Sequence, residues 1–298
     1  MQKISNISIL LSFLGLWLTS FLKNENQLII GFLLILTFGI IHGANDLLLI
    51  ESINKAKTQT YKKTLIHYIV VVLVAVLLFS FIPWLALLLF IVVSSYHFGE
   101  QHWERMDIYS NKIAKIAFHS IYGLFILFLL FNFHDKEVLS VVYDITGIDF
   151  NYIDISLFLK SIGVLLLGMF IYNYFNSIVF KKNILIELLY LLVFTIIFKV
   201  GTLIWAFTIY FIFWHSIPSL ADQVKFLYGT VSLSNFKVYI KSAFLYWMIS
   251  IIGIVILYIL LKDYKIFDSI FFSFLAAITF PHVIVIERMF AKQNEKTE

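Results

Sequence analysis

The sequence predicts an all-α, polytopic integral membrane protein with about ten transmembrane helices and both termini in the cytoplasm. Three observations carry that expectation. The 298 residues are 61% hydrophobic and only 13% charged, with a mean hydropathy of +0.94, well outside the range of soluble domains. Apolar stretches of roughly 20 residues recur almost end to end, so no soluble domain fits between them and residues 1–298 read as a single transmembrane helical domain. Most of the 22 Lys and Arg residues cluster in alternate loops.

Hydropathy and loop composition place the helices at 4–22, 28–50, 64–82, 84–100, 113–133, 156–178, 184–200, 202–220, 240–261 and 266–290. The first run, Ile4 to Leu22, has only Lys3 before it and no small-x-small cleavage site after it, so it is expected to be a retained helix. The next alternate loops hold Lys55, Lys57, Lys62 and Lys63, then Arg105, Lys112 and Lys115, then Lys181 and Lys182, then Lys225, Lys237 and Lys241. With Lys3, Arg288, Lys292 and Lys296 they mark the cytoplasmic side, and the net charge of +4 needs no nucleic acid as partner. The acidic stretch Asp135, Glu137, Asp144, Asp149 and Asp154 reads as an external loop. Pro218 and Pro281 are expected to kink or open the eighth and tenth helices.

Cysteine is absent, which excludes thiolate metal sites, Cys nucleophiles and disulfides, and leaves His, Asp and Glu as the possible metal ligands. Of the eight histidines, His42, His97, His215 and His282 lie on the second, fourth, eighth and tenth helices, all running outside to inside. Each is about 13 to 16 residues from the outer end, roughly 20 to 24 Å deep. A lone intramembrane histidine serves most often as a helix-packing hydrogen bond. Four in one layer point instead to a polyhistidine metal centre, because neutral imidazole is the commonest protein metal ligand. His67 and His119 near inner helix ends and His134 in the external loop read as interfacial. His102, at the cytoplasmic mouth, reads as a ligand, a proton relay or a solvated end.

Asp46, at i+4 from His42, and Glu100, at i+3 from His97, are placed to accept the second ring N–H of a bound imidazole, and Asn45 shares the same helix. Gly43 and Gly99 allow close approach of a ligand or a backbone. Tyr96, Phe213 and Trp214, with Trp103 and Trp205, suit the wall of a tunnel for a long apolar polyene, although ordinary packing explains most such residues.

The stretches "HGANDLLLIE", "YHFGEQHW", "FWHSIPSL" and "FPHVIVIE", in this order over nearly the whole chain, resemble the Brp/Blh family of bacterial β-carotene 15,15′-dioxygenases. The resemblance implies a multi-pass enzyme of the bacterial cell (inner) membrane that uses non-haem Fe(II) and O2. It would cleave the central double bond of β-carotene to two retinal molecules, with a functional link to a retinal-binding rhodopsin. His42, His97 and His215 carry over as ligands. Two positions depart from the family pattern: Ser219 stands where a histidine four residues after His215 is expected, and His102 stands where an aspartate is expected. The fourth ligand is therefore His282 by depth, or His102 in its place. The competing readings are a relative acting on another carotenoid or isoprenoid, a carotenoid-binding protein, and a proton or ion transporter with a histidine relay.

Overall fold

The computed structural model describes residues 2–54, 58–106, 108–109, 111–261 and 267–295. Among these the chain is helical with no strand, the solution that lets backbone amides pair internally in hydrocarbon. The helices are α1 (Gln2–Thr19), α2 (Asn24–Ile53), α3 (Thr58–Phe81), α4 (Pro83–Trp103), α5 (Lys112–Phe133), α6 (Asp135–Thr146), α7 (Ile155–Asn176), α8 (Ile178–Val200), α9 (Leu203–Tyr228), α10 (Leu233–Leu261) and α11 (Phe267–Asn294). Nine of the described helices are long and apolar enough to span a membrane, and Ile4–Thr19 adds a shorter apolar one. Leu185 and Phe175 are 80% and 78% exposed, a cost in water that disappears against lipid. Lys55, Lys57 and Lys296, and the expected start of the last helix at 266, lie outside the described residues.

Two helices carry a wide turn that no hydropathy plot reveals. In α2, a π segment at Ile35–Gly39 precedes Ile40–Gly43, and a turn at Ala44 and Asn45 precedes Asp46–Ile53. In α9 a π segment covers Phe211–Ser216. Pro218 comes two residues after its last position and the helix runs on to Tyr228, where the sequence predicts an end near 220. Proline removes one amide donor and crowds the carbonyl four residues back, and the widened turn just before it absorbs that disturbance. Pro281 likewise sits inside a continuous α11. Gly229, at φ +82, closes α9 with its N–H on the Lys225 carbonyl. The expected acidic loop is instead an amphipathic helix, α6, with no buried residue, ended by Gly147 at φ +69.

The chain divides into two compact units. The first is Met1–Ile35, Ser94–Ser140 and Asp149–Pro218. Its core is aromatic: Trp103 lies edge-on to Phe118 at 5.0 Å and stacks on Phe180 at 5.7 Å, and Phe170 meets Phe180 at 5.1 Å. Here α4 crosses α5 with backbones touching. A Cβ on Gly99 would overlap the His119 carbonyl, and one on Gly123 the Ser95 carbonyl, so both crossing points require glycine.

The second unit is Leu36–Val93, Val141–Ile148 and Ser219–Glu298. The end of α2 packs on α3 and α11 through Leu49, Ile50, Val285, Ile286, Met289 and Phe290. A smaller cluster joins Leu220 and Val224 of α9 to Tyr239 and Ala243 of α10.

Candidate functional site

Each unit contains a buried pair of histidines. In the second unit the rings of His42 and His282 are 4.8 Å apart and nearly perpendicular, at 5% and 3% exposure. His282 donates its Nδ1–H to Asp46 Oδ1 at 2.8 Å, and the Tyr68 hydroxyl donates to Asp46 Oδ2 at 3.2 Å. The carboxylate expected to support His42 therefore supports His282. Helical spacing puts residues four apart on one face, but the turn at Ala44 and Asn45 breaks the helix between His42 and Asp46 and redirects the carboxylate.

That same turn interrupts the α-helical ladder beside the His42 carbonyl, in buried surroundings. Gln223 Nε2 donates to it at 2.9 Å and the Tyr239 hydroxyl lies 3.3 Å away, also donating to Gln223 Oε1 at 2.6 Å. Ser219, standing where the family pattern has a histidine, accepts from Gln223 at 3.1 Å. Asn45 faces away from His42, donating to the Tyr239 carbonyl at 3.0 Å and accepting from Ser242 at 3.1 Å. A Cβ on Gly43 would reach only ordinary contact with the His282 ring, at 3.6 Å, so close approach does not demand glycine there.

In the first unit the rings of His97 and His215 are 4.7 Å apart, also near perpendicular, at 1% and 2% exposure. His215 lies inside the π segment of α9, a helix distortion found mostly at functional sites. Glu100 Oε2 is 3.7 Å from His97 Nδ1, and the Tyr96 hydroxyl holds the other carboxylate oxygen at 2.8 Å. Phe211 stacks on His215 at 5.3 Å and Phe98 meets it edge-on at 4.8 Å. Trp214, expected at a tunnel wall, is committed to helix packing: its indole donates to Ser12 and its ring abuts Tyr190 and Phe194. Trp205 is held in the same way, donating to Thr19. Phe213 is half-buried and its carbonyl accepts from Ser8.

Among the remaining histidines, His102 and His119 lie in surroundings other than those expected. His102 is not a solvated end, because its Nε2–H donates to Glu187 Oε2 at 2.6 Å and its ring stacks on Tyr122. His119, expected at the interface, is 2% exposed, since the glycine crossings press α4 onto its helix. His134 donates to the Phe198 carbonyl, and exposed His67 donates back to Lys63. Glu187 was the signal left unread: a single carboxylate inside the apolar run of α8, where a charge without a partner is costly. Tyr68, Gln223, Tyr239, Phe98 and Phe211 carry no such signal, because their types are ordinary in membrane helices.

Buried neutral imidazoles supported by carboxylates form a donor set suited to a divalent transition metal. A family model described as beta-carotene 15,15′-dioxygenase matches residues 33–290. The chain belongs to the beta-carotene 15,15′-dioxygenase family. The matched region contains both histidine pairs together with Asp46 and Glu100. No curated protein and no solved structure matches the chain. Membership in the beta-carotene 15,15′-dioxygenase family points to an oxidoreductase of the carotene dioxygenase kind, and the apolar helices to a multi-pass membrane protein.

Proposed function

We propose that this protein is a membrane-embedded non-haem iron dioxygenase that cleaves the central 15,15′ double bond of β-carotene with O2, giving two retinal molecules. One oxygen atom goes to each new aldehyde, so the reaction needs no external reductant. The observation that carries the reading is the histidine equipment of a chain belonging to this family: buried His42 beside His282 and buried His97 beside His215. We assign these four as the Fe(II) ligands, in accord with their shared depth in the sequence. The 2.6 Å contact of His102 with Glu187 supports leaving His102 out of the set.

Bound Fe(II) supplies open coordination positions for O2 and a Lewis-acidic centre. The protein contributes orientation and dryness. Asp46, held by Tyr68, fixes His282 with its Nδ1 protonated and its Nε2 available as a donor. Glu100, held by Tyr96, steadies His97. Phe98 and Phe211 offer an apolar surface beside His215 against which a polyene is positioned. Tyr96 thereby moves from the expected polyene wall to the support of Glu100. The substrate enters from lipid, both termini face the cytoplasm, and retinal passes to a retinal-binding rhodopsin in the same bacterial inner membrane.

The test is expression in cells that accumulate β-carotene. Loss of colour with retinal appearing in extracts is expected. Colour retained in cells whose membranes contain folded, iron-loaded protein would overturn the assignment of substrate.

A further inference from the structure

Away from the histidines, the first unit holds a cavity of about 650 Å³ between the start of α5 and the end of α7. Its polar lining, Tyr109, Asn111, Asn173, Asn176 and Ser177, lies toward the end of α7, and its apolar lining, Leu165, Gly168 and Met169, lies further back along that helix on an exposed flank. From Asn176 to Leu165 along α7 is roughly 16 Å, so under the cytoplasmic orientation of the termini proposed above the groove would run from the inner headgroup level into hydrocarbon. That gradient is the profile of an amphiphile with a polar head and a chain.

The polar end is biased toward donors because the protein already uses most of its acceptors. Asn111 Oδ1 accepts the N–H groups of Ile113 and Ala114 as the cap of α5, which turns its amide NH2 outward. Ser177 Oγ accepts from Phe180 N–H as the cap of α8, leaving the hydroxyl proton to donate. Tyr109 accepts from Asn173 Nδ2, and burial raises its phenol above the ordinary value, so the proton stays on and can be donated. Asn173 and Asn176 are the exceptions: their NH2 groups donate to the Tyr109 hydroxyl and the Tyr172 carbonyl, which leaves amide oxygens as acceptors for a headgroup hydroxyl. Lys112 follows Asn111 directly, and Lys181 and Lys182 follow Ser177 by four and five residues, so basic residues flank the groove in the chain.

We propose that this groove is a binding site for an anionic phospholipid of the cytoplasmic leaflet, its phosphate on the donors of Tyr109, Asn111 and Ser177 and one acyl chain along Leu165, Gly168 and Met169. The site is independent of the histidine pairs and of the reaction assigned to them.

Two variants test it without dismantling the fold. A Cβ at Gly168 meets nothing within 4 Å, so the first atom of a Gly168→Leu side chain has room and the rest is directed to fill the groove. Asn111→Asp keeps the oxygen that caps α5 but replaces the outward donor with negative charge. Purified full-length protein in detergent is titrated with phosphatidylglycerol, phosphatidylcholine or all-trans-retinal and bound ligand is read by native mass spectrometry. Wild type is expected to retain phosphatidylglycerol over phosphatidylcholine. Asn111→Asp should bind phosphatidylglycerol about tenfold more weakly with phosphatidylcholine unchanged, and Gly168→Leu should lose both. Equal retention by both variants, no preference for the anionic lipid, or retinal displacing lipid from wild type but not from Gly168→Leu would each overturn the assignment.

Discussion

Replacing Asp46 tests the support of His282 directly. The carboxylate is 1% exposed, 2.8 Å from His282 Nδ1 and 3.2 Å from the Tyr68 hydroxyl. A hydrogen bond to a charged group contributes about 1.5–3 kcal/mol. Loss of a carboxylate behind a ligating imidazole typically lowers metal affinity about 10–100-fold, equivalent to about 1.4–2.8 kcal/mol, so two independent estimates converge. Asp46→Asn keeps an acceptor of the same shape and belongs at the lower end, about tenfold. Asp46→Ala removes the acceptor and belongs at the upper end, about 100-fold. Tyr68→Phe deletes one supporting bond and should cost about 0.5–1.5 kcal/mol. The assay is iron retained per chain over a chelator titration, with β-carotene cleavage measured on the same samples. In a His282→Ala background, Asp46→Ala should add nothing, because the group it orients is gone. An unchanged chelator midpoint in Asp46→Ala would refute the reasoning.

Further outcomes separate ligands from structural groups. His282→Ala should abolish iron retention whereas His102→Ala should leave it in place, and metal analysis of the two purified variants decides. Glu187→Ala leaves His102 without its carboxylate in a buried site and should destabilise the protein by about 3–5 kcal/mol in detergent unfolding, with Glu187→Gln recovering part of the loss. Gly99→Leu forces α4 from the His119 backbone and should abolish folded yield, read by size-exclusion profile, while Gly253→Leu, where a Cβ meets open space, should express normally.

Much of the fold was legible because a membrane helix announces itself by length and apolarity: the spans expected at 113–133 and 156–178 lie close to α5 and α7, and the span expected at 184–200 shares its end with α8, which starts earlier, at Ile178. What depended on local hydrogen bonding was not. The π segments of α2 and α9 are mostly apolar like the regular turns around them, and a single polar residue such as Thr37 or His215 does not by itself announce a widened turn. The expected His42–Asp46 support assumed an unbroken helix, and a two-residue turn was enough to hand Asp46 to His282. The acidic stretch after α5 was read by charge alone, although Val138, Leu139, Val142 and Ile145 recur at helical spacing and form the apolar face of α6. Trp214 illustrates a different limit. Sequence gives its depth but not which way its ring points, and that direction is set by Ser12, 202 positions earlier.

The open turn after His42 has a consequence for biogenesis. Its carbonyl is held by Gln223, 181 positions later in the chain and itself fixed by Tyr239, and its ring neighbour His282 is later still. During synthesis the second helix thus enters the bilayer long before the groups that fix its histidine exist. The pair can close only after α9, α10 and α11 have been inserted, so any metal it receives is acquired once all three helices are in place. A ribosome-stalled chain ending before Gln223 would carry His42 without the partners that hold it.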